Sequence, residues 1–196
     1  MANINVEQMP KLGFGLMRLP KKGEDFDTEQ ICEMVDRFMD AGMKYFDTAF
    51  AYQGSEEQIK KALVERYPRD SYYLATKLFA AIAGSKEEAE KEFYTSLERT
   101  GAGYFDFYLL HNLGNERTKY YEDYDLWNFI KARKEEGLIK HYGFSFHDKA
   151  DVLDQILQEH PDAEFVQLQI NYAQLGGSEQ SHVAGKTYSV RLEDFL

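Results

Sequence analysis

Apolar and polar positions along the chain follow two alternating patterns. Short runs of apolar, aromatic and β-branched residues begin near six positions: Lys11, Lys44, Tyr72, Tyr104, Lys140 and Glu164. Such runs predict β-strands, and the nearly continuous apolar character of residues 104–110 is typical of a strand that is covered on both faces. The stretches between these runs are charged and carry apolar residues at helical spacing, which predicts helices between the strands.

The predicted helices have recognisable ends. The first carries Ile31 and Val35 on one apolar stripe and begins at the capping residue Asp27. Two others begin with a capping box, in which Ser55 or Ser85 is followed three residues later by Gln or Glu. The five predicted helices span residues 27–41, 55–67, 85–100, 123–136 and 148–160.

The strict alternation of strands and helices predicts right-handed βαβ units and a parallel sheet. Such a sheet either stays open, as a doubly wound sheet, or closes into a barrel. The segment Leu12–Met17 has only the first two glycines of a Gly-x-Gly-x-x-Gly motif, which favours the barrel. We therefore expect an α/β fold, an incomplete (β/α)8 TIM barrel with six strands and five helices over residues 1–172. The pattern stops after Tyr172, so residues 173–196 are expected to form an irregular, atypical tail.

Composition and charge narrow the class of protein. Apolar residues make up 43% of the 196 residues, which is enough for one packed domain. The net charge of −11 argues against a nucleic-acid partner, whose phosphates require clustered Lys and Arg. No run approaches the roughly 18 apolar residues of a membrane helix, and the N-terminus lacks a signal-peptide pattern. We expect a cytoplasmic protein without a membrane partner.

The strand ends carry residues suited to proton transfer. In a barrel, reactive groups lie at the carboxyl ends of the strands, where this sequence places Asp47, Lys77 and His111, with Tyr52 in the loop after Asp47. This set suits proton donation to a carbonyl oxygen while hydride arrives from a cofactor. A phenol titrates near pH 10, so we expect the Lys77 ammonium to lower the pKa of Tyr52. Asp47 would orient Lys77, and His111 would position the carbonyl.

These residues lie in segments that resemble the aldo-keto reductase family, in particular a bacterial subgroup. The segments are Phe46–Tyr52, Ala75–Lys77, Leu109–His111 and Gly143–Ser145, each at its expected strand end. The resemblance covers about residues 10–172 of the sequence. It implies NADPH-dependent reduction of a small aldehyde or ketone, with Tyr as general acid, Lys and Asp tuning it and His orienting the substrate.

The resemblance also implies NADP(H) as cofactor, usually bound without a Rossmann motif. Its nicotinamide carboxamide would be held by Ser145 and Gln167, and Phe146 stands where many members have Asn. His147 lies on the same rim and is a further candidate for ligand contact. Many longer members of the subgroup carry a C-terminal iron–sulfur domain, which the single cysteine, Cys32, excludes for this chain. No metal site is expected.

The chain length qualifies this expectation. An eight-stranded barrel takes about 250 residues, and the loops after the seventh and eighth strands, which bind the cofactor in the family, have no counterpart in this sequence. We therefore expect a truncated form with impaired activity. The alternative is a non-catalytic barrel remnant or interaction module that binds no cofactor. In both cases, the unpaired edges of the first and sixth strands would favour self-association.

The start of the tail suggests how it arose. The subgroup usually continues from Asn-Tyr-Ala with a segment such as Asp-Trp-Glu-Asp-Pro. Residues 174–178 can be encoded as CAG TTG GGA GGA TCC, and a one-base shift of this frame yields Ser-Trp-Glu-Asp-Pro when the next codon begins with G. We hypothesise that a frameshift created residues 174–196. A nucleotide sequence in which no one-base shift restores family-like residues would contradict this hypothesis.

Overall fold

The computed structural model describes residues 9–168 and two short strands farther along the chain. The strands are β1 (Gly13–Gly15), β2 (Lys21–Lys22), β3 (Asp25–Phe26), β4 (Tyr45–Asp47), β5 (Tyr73–Leu78), β6 (Phe105–Leu113), β7 (Ile139–Phe146), β8 (Phe165–Leu168), β9 (His182–Val183) and β10 (Lys186–Thr187). The helices are α1 (Thr28–Asp40), α2 (Ser55–Ile59), α3 (Lys86–Thr100), α4 (Asn115–Asp123), α5 (Leu126–Glu135) and α6 (Ala150–Glu159). One π-helical turn, Lys60–Val64, extends α2.

Six strands form a single parallel sheet in the order β1-β4-β5-β6-β7-β8. The order of the strands in the sheet is also their order along the chain, with the hairpin strands β2 and β3 lying between β1 and β4. Helical segments connect the strands from β4 onward. The sheet curls into a half-barrel, which confirms the predicted incomplete (β/α) barrel. Because all six strands are parallel, their carboxyl ends lie along the same rim of the curl.

Two hydrophobic clusters cover the two faces of this sheet. The larger cluster packs the outer face against the helices, with Ile31 and Val35 of α1 and Phe93 of α3 fully buried. The smaller cluster lies on the inner face and includes Ala75 and Phe107. Alternate residues of a strand point to opposite faces, so Ala75 of β5 and Phe107 and Leu109 of β6 face the inside of the curl.

Within residues 9–168, the structure has a hairpin and a sixth α-helix that the sequence pattern does not predict. The first is the antiparallel hairpin of β2 and β3, whose strands have two residues each and are too short to show a period. The second is helix α4, which has no apolar stripe. Instead, α4 is anchored by the fully buried Tyr121, whose hydroxyl donates to the carbonyl oxygen of His111.

The predicted tail over residues 173–196 lies outside the described residues, apart from β9 and β10, which pair with each other in antiparallel fashion. Over the part of the chain that the structure describes, no helix combines the length and apolar character needed to cross a membrane.

Candidate active site

The candidate site lies at the carboxyl rim of the inner face. The cleft there has a volume of about 260 Å³ and is lined by Asp47, Tyr52, Lys77, His111, Ser145, His147, Gln167 and Leu168. All six residues proposed from the sequence for catalysis or cofactor binding thus line one cleft, together with the rim candidate His147. The strand period explains this convergence, because Asp47, Lys77 and His111 continue the inward-facing rows of β4, β5 and β6.

A buried ion pair forms the floor of the cleft. The Nζ atom of Lys77, which is 2% exposed, donates to Oδ1 of Asp47 at 2.5 Å and to the carbonyl oxygen of Thr48 at 2.7 Å. The second oxygen of Asp47 accepts from Nε2 of Gln167 at 3.2 Å. Burial lowers the pKa of Lys77, an effect that the charge of Asp47 and its hydrogen bond oppose.

Backbone hydrogen bonds hold the loop that carries Tyr52. The amide of Thr48 donates to the carbonyl oxygen of Ala75 at 2.9 Å, and the amide of Phe50 donates to that of Lys77 at 3.0 Å. The loop therefore continues the β4–β5 pairing past the end of β4. Tyr52 lies two residues beyond this anchored segment.

The far end of the loop is held by a turn that requires glycine. Gly54 has a φ of +75°, and a Cβ atom at this position would lie 2.4 Å from the ring of Phe26. The next residue, Ser55, shares a 2.7 Å hydrogen bond with the hydroxyl of Thr48. Tyr52 is consequently held from both sides of the loop.

The pKa of Tyr52 moves in the direction opposite to our expectation. Burial, and then the negative charge of Asp47, raise the pKa of Tyr52 to about 12. The Lys77 ammonium lies 5.1 Å from the centre of the Tyr52 ring, but its hydrogen bonds go to Asp47 and Thr48. The predicted lowering of this pKa by Lys77 is therefore wrong for this structure. A phenol with this pKa keeps its proton at neutral pH.

His111 is neutral and packed between two aromatic rings. Its ring meets Tyr52 edge-on with centroids 5.7 Å apart, and it contacts Phe79 at 5.2 Å. Burial, and then the charges of Lys77 and His147, lower the pKa of His111 to about 3. Its buried Nδ1 atom has no hydrogen-bond partner among the residues that the structure describes. A neutral imidazole can donate one hydrogen bond and accept one.

The other side of the cleft carries the two residues expected to hold a nicotinamide. The hydroxyl oxygen of Ser145 accepts from the amide of Asn112 at 2.7 Å, and Asn112 has a left-handed φ of 59°. The hydroxyl hydrogen of Ser145 is therefore available to a ligand. Gln167 pairs with Ser145 in the β7–β8 register, so the two side chains are neighbours. Phe146 is buried in the core on the outer face.

Three further contributors were not identified from the sequence. Thr48 offers its carbonyl oxygen to Lys77, Phe79 packs on His111, and Leu168 lines the cleft. Each follows a predicted rim residue by one or two positions. Proximity to a strand end was therefore the available signal, although it does not specify which neighbour turns inward.

Known proteins resemble this chain in sequence. The family model described as Aldo/keto reductase family matches residues 11–186. An aldo-keto reductase of Mycolicibacterium smegmatis is 33% identical over 138 residues, covering 69% of this chain and 44% of the relative. The methylglyoxal reductase DkgA of Salmonella typhimurium is 29% identical over 151 residues, covering 75% of this chain and 50% of the relative.

Solved structures give the same result. The crystal structure of an aldo-keto reductase from Klebsiella pneumoniae in complex with NADPH superimposes with a TM-score of 0.66 at 25% sequence identity. The alignment covers 84% of this chain and 55% of that protein. The chain thus spans about half the length of the curated relatives it matches.

Proposed function

Because the chain belongs to the aldo/keto reductase family, we propose that its cleft is a site for NADPH-dependent reduction of a small aldehyde or ketone in the cytoplasm. The observation that supports this proposal is the convergence of Tyr52, Lys77, Asp47 and His111 in one cleft. The names of two relatives support the cofactor and the substrate class: one is crystallised with NADPH and another is a methylglyoxal reductase.

In the proposed reaction, Tyr52 is the proton donor. Its raised pKa keeps the phenol protonated at neutral pH, so the proton is available for a carbonyl oxygen placed in the cleft. As the proton leaves, negative charge develops on the phenol oxygen. The Lys77 ammonium beside the ring stabilises this charge, and Asp47 fixes the position of Lys77.

His111 would orient the substrate. Since its pKa is lowered to about 3, the imidazole is neutral at working pH and offers one N–H to the carbonyl oxygen. A neutral donor polarises the carbonyl and leaves the transfer of the proton to Tyr52. This division of roles requires that the His111 ring be held in a fixed orientation.

The polar groups opposite Tyr52 fit a nicotinamide carboxamide. Ser145 has a hydroxyl hydrogen to donate, and the Gln167 amide contains both a donor and an acceptor. NADPH, when bound, supplies the hydride. On binding, the Gln167 amide would exchange its contact with Asp47 for the carboxamide, and Asp47 would remain held through Lys77.

The competing function is a barrel remnant that binds no cofactor and associates with other copies. It is favoured by the sheet edges, because among the described strands β1 and β8 each pair with one neighbour only. Unpaired strand edges are templates for pairing with another chain. We propose that such pairing limits the activity of the 196-residue chain without abolishing it.

A binding titration separates the two functions. The nicotinamide fluorescence of NADPH is followed during titration with monodisperse protein, and NADPH consumption is then measured with methylglyoxal as substrate. We expect weak but saturable binding and slow aldehyde-dependent consumption. If monodisperse protein shows no saturable binding of NADPH, the reductase proposal is contradicted and the non-catalytic barrel remnant is the remaining function.

Two glutamine variants test whether bound NADPH contacts Gln167. We expect Gln167→Ala to weaken NADPH binding by about tenfold, the effect of losing a hydrogen bond or two to the ligand. The control is Gln158→Ala, which removes an exposed amide that donates to Asp154 on the same helix, away from the cleft. Equal affinities in the two variants would mean that the cofactor does not contact Gln167.

A further inference from the structure

A buried carboxylate lies directly behind the cleft. Glu92 on α3 is 4% exposed, and its Oε2 atom accepts the backbone N–H of Phe79 at 2.8 Å. Phe79 follows the end of β5, two residues after Lys77. The ring of Phe79 in turn contacts the imidazole of His111. One hydrogen bond and one ring contact therefore connect helix α3 to His111.

An acid at this position is not needed to fill the core. The buried stripe of α3 includes Ala89, Phe93 and Ser96, which pack without a charge. Burying a carboxylate costs free energy unless its hydrogen bonds compensate. One turn earlier, the exposed Glu88 makes a similar bond to the amide of Gly84 at 2.7 Å. The bond to an amide can thus form at the surface, and Glu92 differs in making it beneath the cleft.

A second contact holds the same two strand ends from behind. The hydroxyl of Tyr121 on α4 donates to the carbonyl oxygen of His111 and lies 3.3 Å from that of Leu78. The backbone at the ends of β5 and β6 is thereby tied together. The orientation of the Phe79 ring, however, depends on the backbone just beyond β5, where Glu92 is the side chain bonded to the Phe79 amide.

We propose that Glu92 is a positioning residue for the proposed reductase site: it fixes the backbone of Phe79, and the Phe79 ring sets the orientation of the His111 imidazole. The catalytic part of this inference rests on the proposed function. The structural part, the dependence of His111 on Glu92, does not require turnover.

Burial brings the pKa of Glu92 near neutral, and four charged or titratable groups lie around it. Glu56 on α2, Arg99 on α3, Tyr108 on β6 and Tyr121 on α4 interact with it electrostatically. Burial raises the pKa of Glu92 to about 7; Glu56 supports this rise, whereas the Phe79 N–H bond and Arg99 oppose it. A carboxylate is a stronger acceptor than a carboxylic acid, so the contact strengthens as pH rises through this value.

The first test observes His111 directly. The NMR signal of the His111 ring is followed across neutral pH in His147→Gln protein, which removes the neighbouring imidazole. Because the pKa of His111 itself lies near 3, the ring does not titrate in this range. We expect its signal to shift with a midpoint of about 7 and to lose this step when Glu92→Gln is added. An unchanged step in the Gln variant would overturn the proposal.

The second test measures turnover. We expect Glu92→Leu to lower kcat for an aldehyde by about tenfold, because a misplaced His111 loses its alignment with the carbonyl. The Kd of NADPH is expected to stay unchanged, since Glu92 does not line the cleft. Glu88→Leu is the matched control, and it should retain the wild-type kcat.

The conservative variant separates positioning from folding. In Glu92→Gln, the side-chain oxygen still accepts the Phe79 N–H, so we expect a kcat close to that of the wild type and no step in the His111 NMR signal near pH 7. Equal kcat in Glu92→Leu and Glu88→Leu would overturn the proposal even if both fold. If the wild-type chain lacks reductase activity but its His111 signal follows Glu92, the proposed function fails and the positioning role stands.

Discussion

Two ion pairs at opposite ends of the same sheet show how differently one fold uses buried charge. At the carboxyl rim, Lys77 of β5 pairs with Asp47 of β4. At the amino end, Arg69 pairs with Asp106 of β6 at 2.8 Å. Both pairs join neighbouring segments of the sheet, and both contain a carboxylate with little exposure. The two pairs differ, however, in the hydrogen bonding of the polar groups around them and in whether those groups line a cleft.

The pair at the amino end satisfies its donors within the protein. Arg69 donates to the carbonyl oxygens of Ala102, Tyr72 and Tyr104, and its guanidinium lies 3.7 Å from the centre of the Tyr104 ring. Asp106 accepts from Arg69 and also from the backbone amide of Leu74 at 2.9 Å. This network joins the start of β5 to that of β6.

The pair at the carboxyl rim leaves polar groups open beside it. Lys77 has two acceptors, but the phenol of Tyr52 next to it makes no hydrogen bond to another of the described residues, and the Nδ1 atom of His111 is also unpaired there. Unpaired polar groups beside a buried charge cost stability and provide contacts for a ligand. The hydroxyl of Tyr72 beside the amino-end pair also lacks a partner among the described residues, but Tyr72 is enclosed in the core. The comparison therefore teaches that unpaired polar groups opening into a cleft, rather than buried charge or missing hydrogen bonds alone, mark the carboxyl rim as the candidate site.

The largest effect is expected for Lys77→Met. Turnover should fall by about 10³-fold, because the charge that stabilises the developing Tyr52 phenolate is removed. The free energy of unfolding should change less than for the amino-end pair, since Asp47 keeps Gln167 and faces the cleft. Steady-state kinetics and urea unfolding measure the two quantities. A fall in stability without a fall in turnover would reverse our assignment of the two ends.

The next effect concerns the amino-end pair. Arg69→Met should lower the free energy of unfolding by about 3 kcal/mol, because it leaves Asp106 buried without its partner. Turnover of the folded variant should stay close to that of the wild type. Arg66→Met is the control, as Arg66 pairs with the more exposed Asp36 at the surface and should cost less than about 1 kcal/mol.

Individual elements show how much of this difference between the two ends of the sheet the sequence predicts. Strand order and the rim positions of Asp47, Lys77 and His111 followed from the alternation of apolar runs and from the strand period. Helix α4 was missed because its residues are polar and its position depends on the tertiary contacts of Tyr121. Local pattern cannot report a helix that is held by one buried side chain.

The electrostatics of the site were less accessible. Whether Lys77 or burial dominates the pKa of Tyr52 depends on distances and desolvation that only the folded chain defines. Glu92 is not among the candidates from the sequence, because it follows a Glu-rich stretch, residues 86–91, whose composition is typical of a solvated helix face. Its spacing of three from Ala89 and four to Ser96 places it on the buried stripe, and this spacing was the available signal.

Glu92 also predicts a pH dependence of stability. Its pKa is raised from 4.5 to about 7 in the folded chain, so the folded state binds the proton more tightly than the unfolded state. The stabilisation is complete below the unfolded pKa and is lost as pH rises through about 7. Glu92→Gln should therefore be more stable than the wild type at pH 8, by about 3 kcal/mol, and equal to it in acid. A constant difference across this range would contradict the prediction.

The smallest effect is expected at an exposed pair. Lys86 lies 3.5 Å from Asp125, and both side chains are more than 40% exposed. Lys86→Met should change the free energy of unfolding by less than about 0.5 kcal/mol, since solvent already screens this contact. Thermal or urea unfolding measures the difference. A loss comparable to that of Arg69→Met would show that burial does not distinguish the ion pairs.

The most direct test of the central claim compares two tyrosine variants. Tyr52→Phe removes only the proposed proton donor, whereas Tyr45→Phe removes a phenol on β4 that does not line the cleft. With NADPH and an aldehyde, we predict that Tyr52→Phe lowers kcat by about 10³-fold with an unchanged Kd for NADPH, and that Tyr45→Phe retains turnover. Wild-type turnover in Tyr52→Phe would contradict the assignment of Tyr52 as the acid.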